Sequence, residues 1–369
     1  MTTGIVTSSF GRTEADTGRA DRGRTLRAGH RCSRRTALRT GAAGLAAATL
    51  GAAKRRATLA QHATPAVAPP VRDSGDFAGL VDKGGRNLYL ECRCTGSPTV
   101  VLVAGGRSSA RYWSDDLLHP DAPRTMVLPA VAQSTRVCAY DRPGTYASIG
   151  EEILPSRSDP IAQPRTVPEM VAELHALLQS AEIPGPYVLA GHSLGGFMAR
   201  LYASTYPDEV VGLVLVDAYS ELLEGVMPPE RWQALVQLNQ ELGSGEVVPI
   251  PGYGDAETTG YGADNAVVRE AVAASPLRPM PLAVLAHGKP FSIPEGAQGF
   301  TSAELEAFLR AANEQQATLV PDARFSVASE SGHDIHQDQP ELVVEAVRQV
   351  VAGVRHPDTW YDLTSCCAD

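Results

Sequence analysis

One stretch of 31 residues constrains the fold more than any other part of this 369-residue chain. Tyr187–Ala190 is an apolar run of strand length, and it leads directly into the pentapeptide GHSLG at 191–195. Residues 197–206 have a helical pattern, and a second apolar run, Val211–Val216, precedes Asp217. The sequence therefore predicts a strand, a sharp turn with a serine at its apex, a helix and a second strand.

The glycines of this turn have a steric reason to be there. A serine at such an apex has a strained backbone, and side chains two residues to either side would collide with the turn. Gly191 and Gly195 occupy those two positions. The turn would expose the Ser193 hydroxyl and place the Leu194 N–H at a helix N-terminus, where negative charge is favoured. In this strand–turn–helix context the G-x-S-x-G motif predicts that Ser193 is a nucleophile.

Charge is distributed unevenly along the chain. The first 60 residues hold 12 of the 32 Lys and Arg but only 3 of the 42 Asp and Glu. The rest of the chain has 20 basic and 39 acidic residues, a balance of −19. With this negative charge, residues 61–369 are poorly suited to bind nucleic acids or anionic membranes, and we expect neither as a partner.

The basic N-terminus has the order of an export signal. The pair Arg34-Arg35 precedes a 13-residue run of small and apolar residues, Gly41–Ala53, which is too short to span a bilayer. This resembles a bacterial twin-arginine signal. We therefore expect residues 1–60 to be a signal read by the twin-arginine export machinery and 61–72 to be a Pro/Ala linker. The mature protein would be exported, without stable membrane insertion.

Five cysteines would remain after removal of the signal, so at least one would stay free or pair between chains. Cys92 and Cys94 lie two apart on a predicted strand and hence on one face. Cys138 lies in an apolar strand and is expected to be a core thiol. The spacing predicts no metal site. The remaining cysteines are Cys366 and Cys367.

Strands alternate with helices along the body of the chain, which predicts a parallel sheet of βαβ units. Residues 145–167 are expected to be loop. The segment that follows Asp217 is expected to hold one helix, 229–242, and then irregular chain. Predicted strands are 79–82, 87–94, 99–104, 136–140, 187–190, 211–216, 281–286 and 324–328, and the other predicted helices are 171–181, 197–206, 302–317 and 340–354.

The predicted base is His333. A serine hydroxyl needs a base to take its proton, and a carboxylate to orient that base. His333 follows the last predicted strand, and functional loops of parallel sheets lie at the carboxyl ends of strands. His336 is the rival, but it would fall at the start of the last helix. His192 is expected to be structural.

The predicted acid is Asp217, at the end of the strand that follows the nucleophile. The loop after the next strand, 287–290, contains no carboxylate. Glu295 and Glu304 remain the alternatives. A tetrahedral intermediate also needs two N–H donors, for which we expect Leu194 and Gly106, while Asp141-Arg142 is expected to form an ion pair or shape the rim of the pocket.

With these residues the chain resembles the α/β-hydrolase superfamily, and within it secreted actinobacterial-type serine hydrolases. The resemblance implies a mostly parallel sheet of roughly eight strands flanked by helices, in a domain over 73–355 with a lid inserted at 219–276 and a tail at 356–369. It also implies a Ser–His–acid triad without metal or organic cofactor. The chain departs from many relatives at two places. Ala104 stands where they have a histidine before the oxyanion glycine, and the loop after Ala286 lacks the acid that they have there. The matching segments are 97–106, 135–145, 185–196, 206–218 and 331–351.

The predicted function is hydrolysis of a carboxylic ester, a small-molecule acyl substrate, through an acyl-enzyme on Ser193. The same machinery also serves amides, lactones, thioesters, acyl transfer and cofactor-free perhydrolysis. A catalytically silent ligand-binding protein on the same fold is the alternative from another class. No motif in the inserted segment identifies the substrate.

Overall fold

The computed structural model describes residues 75–121, 124–243, 250–291 and 297–360. The predicted signal at 1–60 and linker at 61–72 lie outside these ranges. The strands are Phe77–Asp82 (β1), Asn87–Arg93 (β2), Thr99–Val103 (β3), Val137–Tyr140 (β4), Tyr146–Ile149 (β5), Glu152–Pro155 (β6), Tyr187–His192 (β7), Val210–Val216 (β8), Leu282–His287 (β9) and Arg324–Ala328 (β10).

The helices alternate with these strands over most of the chain. They are Arg111–Ser114 (α1), Val127–Val131 (α2), Val167–Ser180 (α3), Leu194–Thr205 (α4), Leu223–Val226 (α5), Pro229–Gly243 (α6), Tyr261–Ala274 (α7), Ser302–Gln316 (α8), Ile335–Asp338 (α9), Pro340–Arg355 (α10) and Pro357–Trp360 (α11).

Eight strands form one sheet in the order β1-β2-β4-β3-β7-β8-β9-β10. All neighbouring pairs from β4 to β10 are parallel, and only β2 runs against its neighbours. The predicted fold class, a mostly parallel sheet of about eight strands with flanking helices, is confirmed. The serine strand β7 lies between β3 and β8, so the loops after these two strands meet the serine turn from either side.

The central strands are buried on both faces, as their continuous apolar sequences require. In β3 the side chains of Val101 and Val103 pack with helices α3, α4 and α7, whereas Val100 and Leu102 pack with α1, α2 and α10. This alternation follows from the two-residue period of a strand. The sheet is thus a rigid support for the loops at its carboxyl edge.

Two segments are more ordered than the sequence predicts. Residues 145–167 contain the antiparallel hairpin β5–β6, so the prediction of a loop is wrong there. Most hairpin side chains are only partly buried, which explains the lack of a clear apolar alternation. The segment after α6 contains helix α7, whose Val268 and Val272 are buried in the main core. The insertion 219–276 is therefore partly anchored in the body of the domain.

The prediction that Cys138 is a core thiol is wrong. Cys138 lies directly opposite Cys92 in the antiparallel pair β2–β4, and the two form a disulfide. The packed chain also continues beyond the expected domain end at 355: Trp360 is buried and donates from Nε1 to the carbonyl of Asp322 at 3.1 Å. Among the described helices none has the length and apolarity needed to cross a bilayer.

Candidate active site

Ser193 occupies the apex of the turn between β7 and α4. Its φ of 51° and ψ of −120° lie in a region that non-glycine residues rarely adopt. A Cβ on Gly191 would lie 2.3 Å from the carbonyl oxygen of Gly195, and one on Gly195 would lie 2.1 Å from that of Val103. Only glycine fits at these two positions, so the sequence forces the turn that presents Ser193.

The two predicted oxyanion donors lie on segments that pack against this turn. The N–H of Leu194 is the first of helix α4 and has no acceptor within its own helix. The loop after β3 passes so close that a Cβ on Gly105 would be 3.4 Å from Cβ of Ser193. Gly106 is the next residue of that loop. The loop that carries Gly106 thus packs against the serine turn, and Leu194 is the residue that follows the serine in that turn.

His333 and Asp217 are joined by a short hydrogen bond. The Nδ1 atom of His333 donates to Oδ2 of Asp217 at 2.6 Å. This bond fixes the ring so that its other nitrogen, Nε2, is the one left for proton transfer. Ser193, Asp217 and His333 line the same cavity. The structure therefore brings together the three residues that the sequence predicts for a triad.

Asp217 is buried, and its carboxylate accepts hydrogen bonds from more than one donor. Its carboxylate also accepts from Nδ1 of His287 at 2.8 Å and from Nδ2 of Asn313 at 3.3 Å. Burial by itself would raise the pKa of Asp217, but the hydrogen bonds from His287 and His333 outweigh it and hold the pKa well below its usual range. Asp217 is therefore an anion at any pH at which the site works.

The interaction with Asp217 also raises the pKa of His333. Its partly buried position disfavours the charged form, yet the hydrogen bond and the negative charge of Asp217 outweigh this effect. A raised pKa makes His333 a stronger base toward the serine hydroxyl. As the pH falls, His333 therefore becomes protonated, and inactive as a base, at a higher pH than a free histidine would.

The described residues considered as alternatives for the base and the acid do not form the pair with Ser193 that a triad needs. His336 is fully buried beside Trp113, with ring centroids 4.6 Å apart, and burial lowers its pKa to about 3. Glu304 pairs with Arg231 at 2.5 Å, and Glu295 lies outside the described residues. His192 bonds through Nε2 to the carbonyl oxygen of His333 at 2.9 Å, which supports the loop of the base.

A buried ion pair supports the oxyanion side. Arg142 donates to both oxygens of Glu257, at 2.6 and 2.9 Å, and each side chain is only 1% exposed. The same guanidinium donates to the carbonyl oxygens of Ala104 and Gly105 at 2.9 and 2.6 Å. Glu257 in turn accepts from the Arg107 N–H at 2.8 Å. The loop that carries Gly106 is thus held on both sides by one ion pair.

Sequence reasoning missed part of this arrangement. Asp141 and Arg142 each form an ion pair, as expected, but not with one another: Asp141 binds Arg157, and Arg142 binds Glu257 of the insertion. Nothing in the sequence near Glu257 indicates this partner, because it lies 115 positions from Arg142. His287 was also missed, although its position at the end of a predicted strand is the kind of place where site residues lie.

The cavity at Ser193 has a volume of about 210 Å³. Typical ligand pockets measure about 300 to 1,000 Å³, so this one suits a small group. Its wall combines apolar side chains with a few polar ones. The lining residues besides the triad are Ala218, Tyr219, Ser220, Leu223, Asn239, His287, Phe291, Leu309, Ala312 and Asn313.

One cluster next to the site contains side chains of the kinds that bind metals. Ligand atoms of His192, Asp334 and His336 lie within 4.8 Å of one another. The Nε2 atom of His192 is already bonded to a carbonyl, and its Nδ1 atom would lie 2.7 Å from a Cβ on Gly105. Because the Nε2 atom of His192 already has a partner, we assign no metal to this cluster.

Comparison with known proteins identifies the family. A family model described as "Alpha/beta hydrolase family" matches residues 100–346, about two thirds of the chain. The chain therefore belongs to the alpha/beta hydrolase family, a family of hydrolase-type enzymes. The matched residues include every member of the predicted triad and both predicted oxyanion donors.

Individual relatives are more distant. The chain is 23% identical over 301 residues to an AB hydrolase superfamily protein of Gibberella zeae, covering 70% of this chain and 87% of that protein. It is 33% identical over 163 residues to an uncharacterised protein of Schizosaccharomyces pombe, covering 40% of this chain. It spans only about a quarter of the length of the first curated relatives that it matches, 28% and 23%.

Solved structures share the fold at low identity. One is a putative lipase from Acinetobacter baumannii, which is 19% identical with a TM-score of 0.46, covering 77% of this chain and 93% of the lipase.

Proposed function

We propose that this alpha/beta hydrolase cleaves carboxylic esters through an acyl-enzyme formed on Ser193. The observation that carries the proposal is the hydrogen bond from His333 Nδ1 to the buried carboxylate of Asp217, in a cavity that Ser193 also lines. A serine, an oriented imidazole and an anion in one cavity are the parts needed for nucleophilic acyl transfer.

The proposed steps follow from these positions. Ser193 Oγ attacks the ester carbonyl while its proton passes to His333, and the N–H groups of Leu194 and Gly106 stabilise the oxyanion. His333 then returns the proton to the leaving alcohol. Water, deprotonated by His333, attacks the acyl-enzyme, and His333 passes that proton to the departing Ser193 Oγ as the acid is released. Asp217 holds the ring in one tautomer and stabilises the imidazolium.

The cavity supports short acyl groups as substrates. Its volume of about 210 Å³ is bounded by Leu223, Phe291 and Leu309, with Ser220 and Asn239 as polar lining. A compact, mixed lining of this kind favours a small ester over a long acyl chain. We expect acetyl and butyryl esters to be better substrates than octanoyl esters.

Export through the twin-arginine signal is part of the proposal. The disulfide between Cys92 and Cys138 supports it, because disulfides persist mainly in oxidising compartments outside the cytosol. The pair Arg34-Arg35 in the full chain is the natural target for a test. Changing both to lysine should leave the protein in the cytosol, and unchanged export would contradict this part of the proposal.

The test of the activity is release of p-nitrophenol from acetyl, butyryl and octanoyl esters by purified protein. Wild type should turn over the short esters, and Ser193→Ala should abolish turnover with the fold intact by circular dichroism. Turnover retained in Ser193→Ala would contradict the proposal. Hydrolysis of amides, lactones or thioesters without ester turnover would replace the ester by another acyl substrate on the same triad.

A further inference from the structure

The ring of His287 lies between two carboxylates, those of Asp217 and Glu306. Its Nδ1 atom is 2.8 Å from both oxygens of Asp217, and its Nε2 atom is 2.7 Å from Oε2 of Glu306. The backbone N–H of His287 also donates to Oδ1 of Asp217 at 3.2 Å. Glu306 is itself held by the N–H of Phe291. The chain Glu306–His287–Asp217–His333 is thus continuous.

The geometry determines the protonation of His287. A neutral imidazole has one N–H, so its second nitrogen would present a lone pair to a carboxylate. Two carboxylates at hydrogen-bond distance therefore call for two N–H donors, the imidazolium form. The pKa of His287 is raised: burial opposes the charge, but the bonds to Asp217 and Glu306 outweigh it. His287 is only 2% exposed, so the positive charge that two donors imply lies in the protein interior.

Position in the fold gives this cation a direct path to the base. His287 is the last residue of β9, and this strand pairs with both β8 and β10. The loops after those two neighbours carry Asp217 and His333. His287 therefore lies on the strand between those that lead to the acid and to the base, and its ring contacts the carboxylate that His333 also contacts.

Other charged groups around His287 are accounted for. Arg310 donates to the carbonyl oxygen of His287, not to its ring. Lys289, in the same loop, pairs at 3.7 Å with Glu330, and both are exposed. Among the described residues, the ionisable groups that act on the ring are Asp217 from the end of β8, Glu306 from α8 and His333 from the loop after β10.

We propose that His287, held by Glu306, is a positioning residue that fixes Asp217 toward His333 and limits the proton affinity of the catalytic base. This inference rests on the proposed function, because the base acts in acyl transfer. The positive charge of His287 opposes a second positive charge on His333 across the shared carboxylate. His333 therefore stays neutral, and active, to a lower pH than Asp217 alone would allow.

The direction of the effect is testable. Removing the charge of His287 strengthens the hold of Asp217 on the proton of His333, so the pKa of His333 rises further. The acid limb of the activity profile then moves to higher pH. A side chain that only packs against Asp217 would change stability or kcat without moving this limb.

The main experiment measures kcat/KM for p-nitrophenyl acetate from pH 5 to 9 with the full chain. His287→Asn keeps a donor toward Asp217 but carries no charge, and we expect its acid limb to move up by roughly one unit. Glu304→Gln is the matched control, since Glu304 lies on α8 with Glu306 but pairs with Arg231. Its limb should stay with that of wild type, and an unmoved limb in His287→Asn would overturn the proposal.

A second measurement does not depend on turnover. In ¹⁵N-labelled protein, the resonance lost in His287→Asn should show two protonated ring nitrogens at pH 7, and Glu306→Gln should reduce them to one. A neutral ring in wild type would overturn the proposal even if the enzyme is active. Absence of ester turnover together with a doubly protonated ring would refute the proposed substrate and leave the buried cation established.

Discussion

The two strands beside β7 support Ser193 by different means. On the β8 side, the acid and its partners sit at the ends of adjacent strands and are joined by short hydrogen bonds, such as that from His333 to Asp217 at 2.6 Å. On the β3 side, the glycine loop depends on Arg142 and on Glu257, which belongs to the insertion. One half of the site is built by the sheet, and the other half needs a residue of the insertion.

This difference has an energetic consequence. Hydrogen bonds between neighbouring strand ends are preorganised by the sheet and cost little further ordering. A buried ion pair pays a large desolvation penalty and stabilises only while both partners are present. A substitution on the oxyanion side should therefore lower the free energy of unfolding more, while a substitution on the acid side should lower kcat more.

The largest effect is expected on the acid side. Asp217→Asn keeps the size of the side chain but removes the charge and favours the wrong tautomer of His333, so kcat should fall by about 10⁴-fold. Asp264→Asn is a matched control because Asp264 is also buried but bonds to the Val167 N–H outside the cavity. The measurement is kcat for p-nitrophenyl acetate. A loss of less than tenfold in Asp217→Asn would remove Asp217 as the acid.

The next effect is expected on the oxyanion side. Glu257→Gln leaves Arg142 buried without a counter-charge, which should cost about 3 to 5 kcal/mol of unfolding free energy. Because Arg142 also holds the Ala104 and Gly105 carbonyls, kcat should fall by about 10 to 100-fold, toward the loss of one oxyanion donor. Urea unfolding and steady-state kinetics measure the two quantities.

The matched control for this variant is Glu173→Gln. Glu173 lies on helix α3, and its buried carboxylate binds Arg86 and, at 2.8 Å, Arg165, neither of which belongs to the glycine loop. It should lose stability with little change in kcat. If Glu257→Gln lost stability in the same way but kept its kcat, the ion pair would stabilise the fold without positioning the loop.

A smaller effect concerns the pH at which the base works. His333 must be neutral to accept the serine proton, and its pKa is raised by Asp217. The activity of wild type should therefore fall as pH decreases through a value above about 6.5, the usual pKa of histidine. A profile of kcat/KM in low-ionic-strength buffers gives this value. An acid limb centred below pH 6 would contradict the assignment of His333.

The smallest effect concerns the size of the acyl pocket. Leu309 lines the cavity from α8, and Leu309→Ala should make room for longer chains. Each added methylene that becomes buried contributes about 0.8 kcal/mol, or about fourfold in kcat/KM. The ratio of hexanoyl to acetyl ester turnover should rise by that order or more. An unchanged ratio would show that the acyl chain lies elsewhere.

The comparison of the two halves also explains what the sequence predicts and what it does not. Asp217 and His333 follow apolar runs that read as buried strands, and parallel strands place such residues along one edge. The order of these strands in the chain is enough to propose the acid and the base. The sheet, its strands and the serine turn were predicted for the same reason.

The partners of the glycine loop could not be predicted in this way. Glu257 lies in an insertion with no strand periodicity, and its contact with Arg142 depends on how that segment folds back. Helix α7 was missed because Gly260 and Gly262 mark its start as irregular. The disulfide of Cys138 depends on the antiparallel register of β2 and β4, which the apolar pattern does not specify. Long-range packing decides each of these.

The central claim is that Ser193 is an activated nucleophile, and covalent labelling tests it most directly. Purified protein would be treated with a fluorophosphonate probe and the modified peptide identified by mass spectrometry. We expect one adduct, on Ser193, which is absent from Ser193→Ala and forms much more slowly in Asp217→Asn. If folded wild-type protein formed no adduct, Ser193 would not be an activated nucleophile, and a ligand-binding role for the same cavity would be favoured.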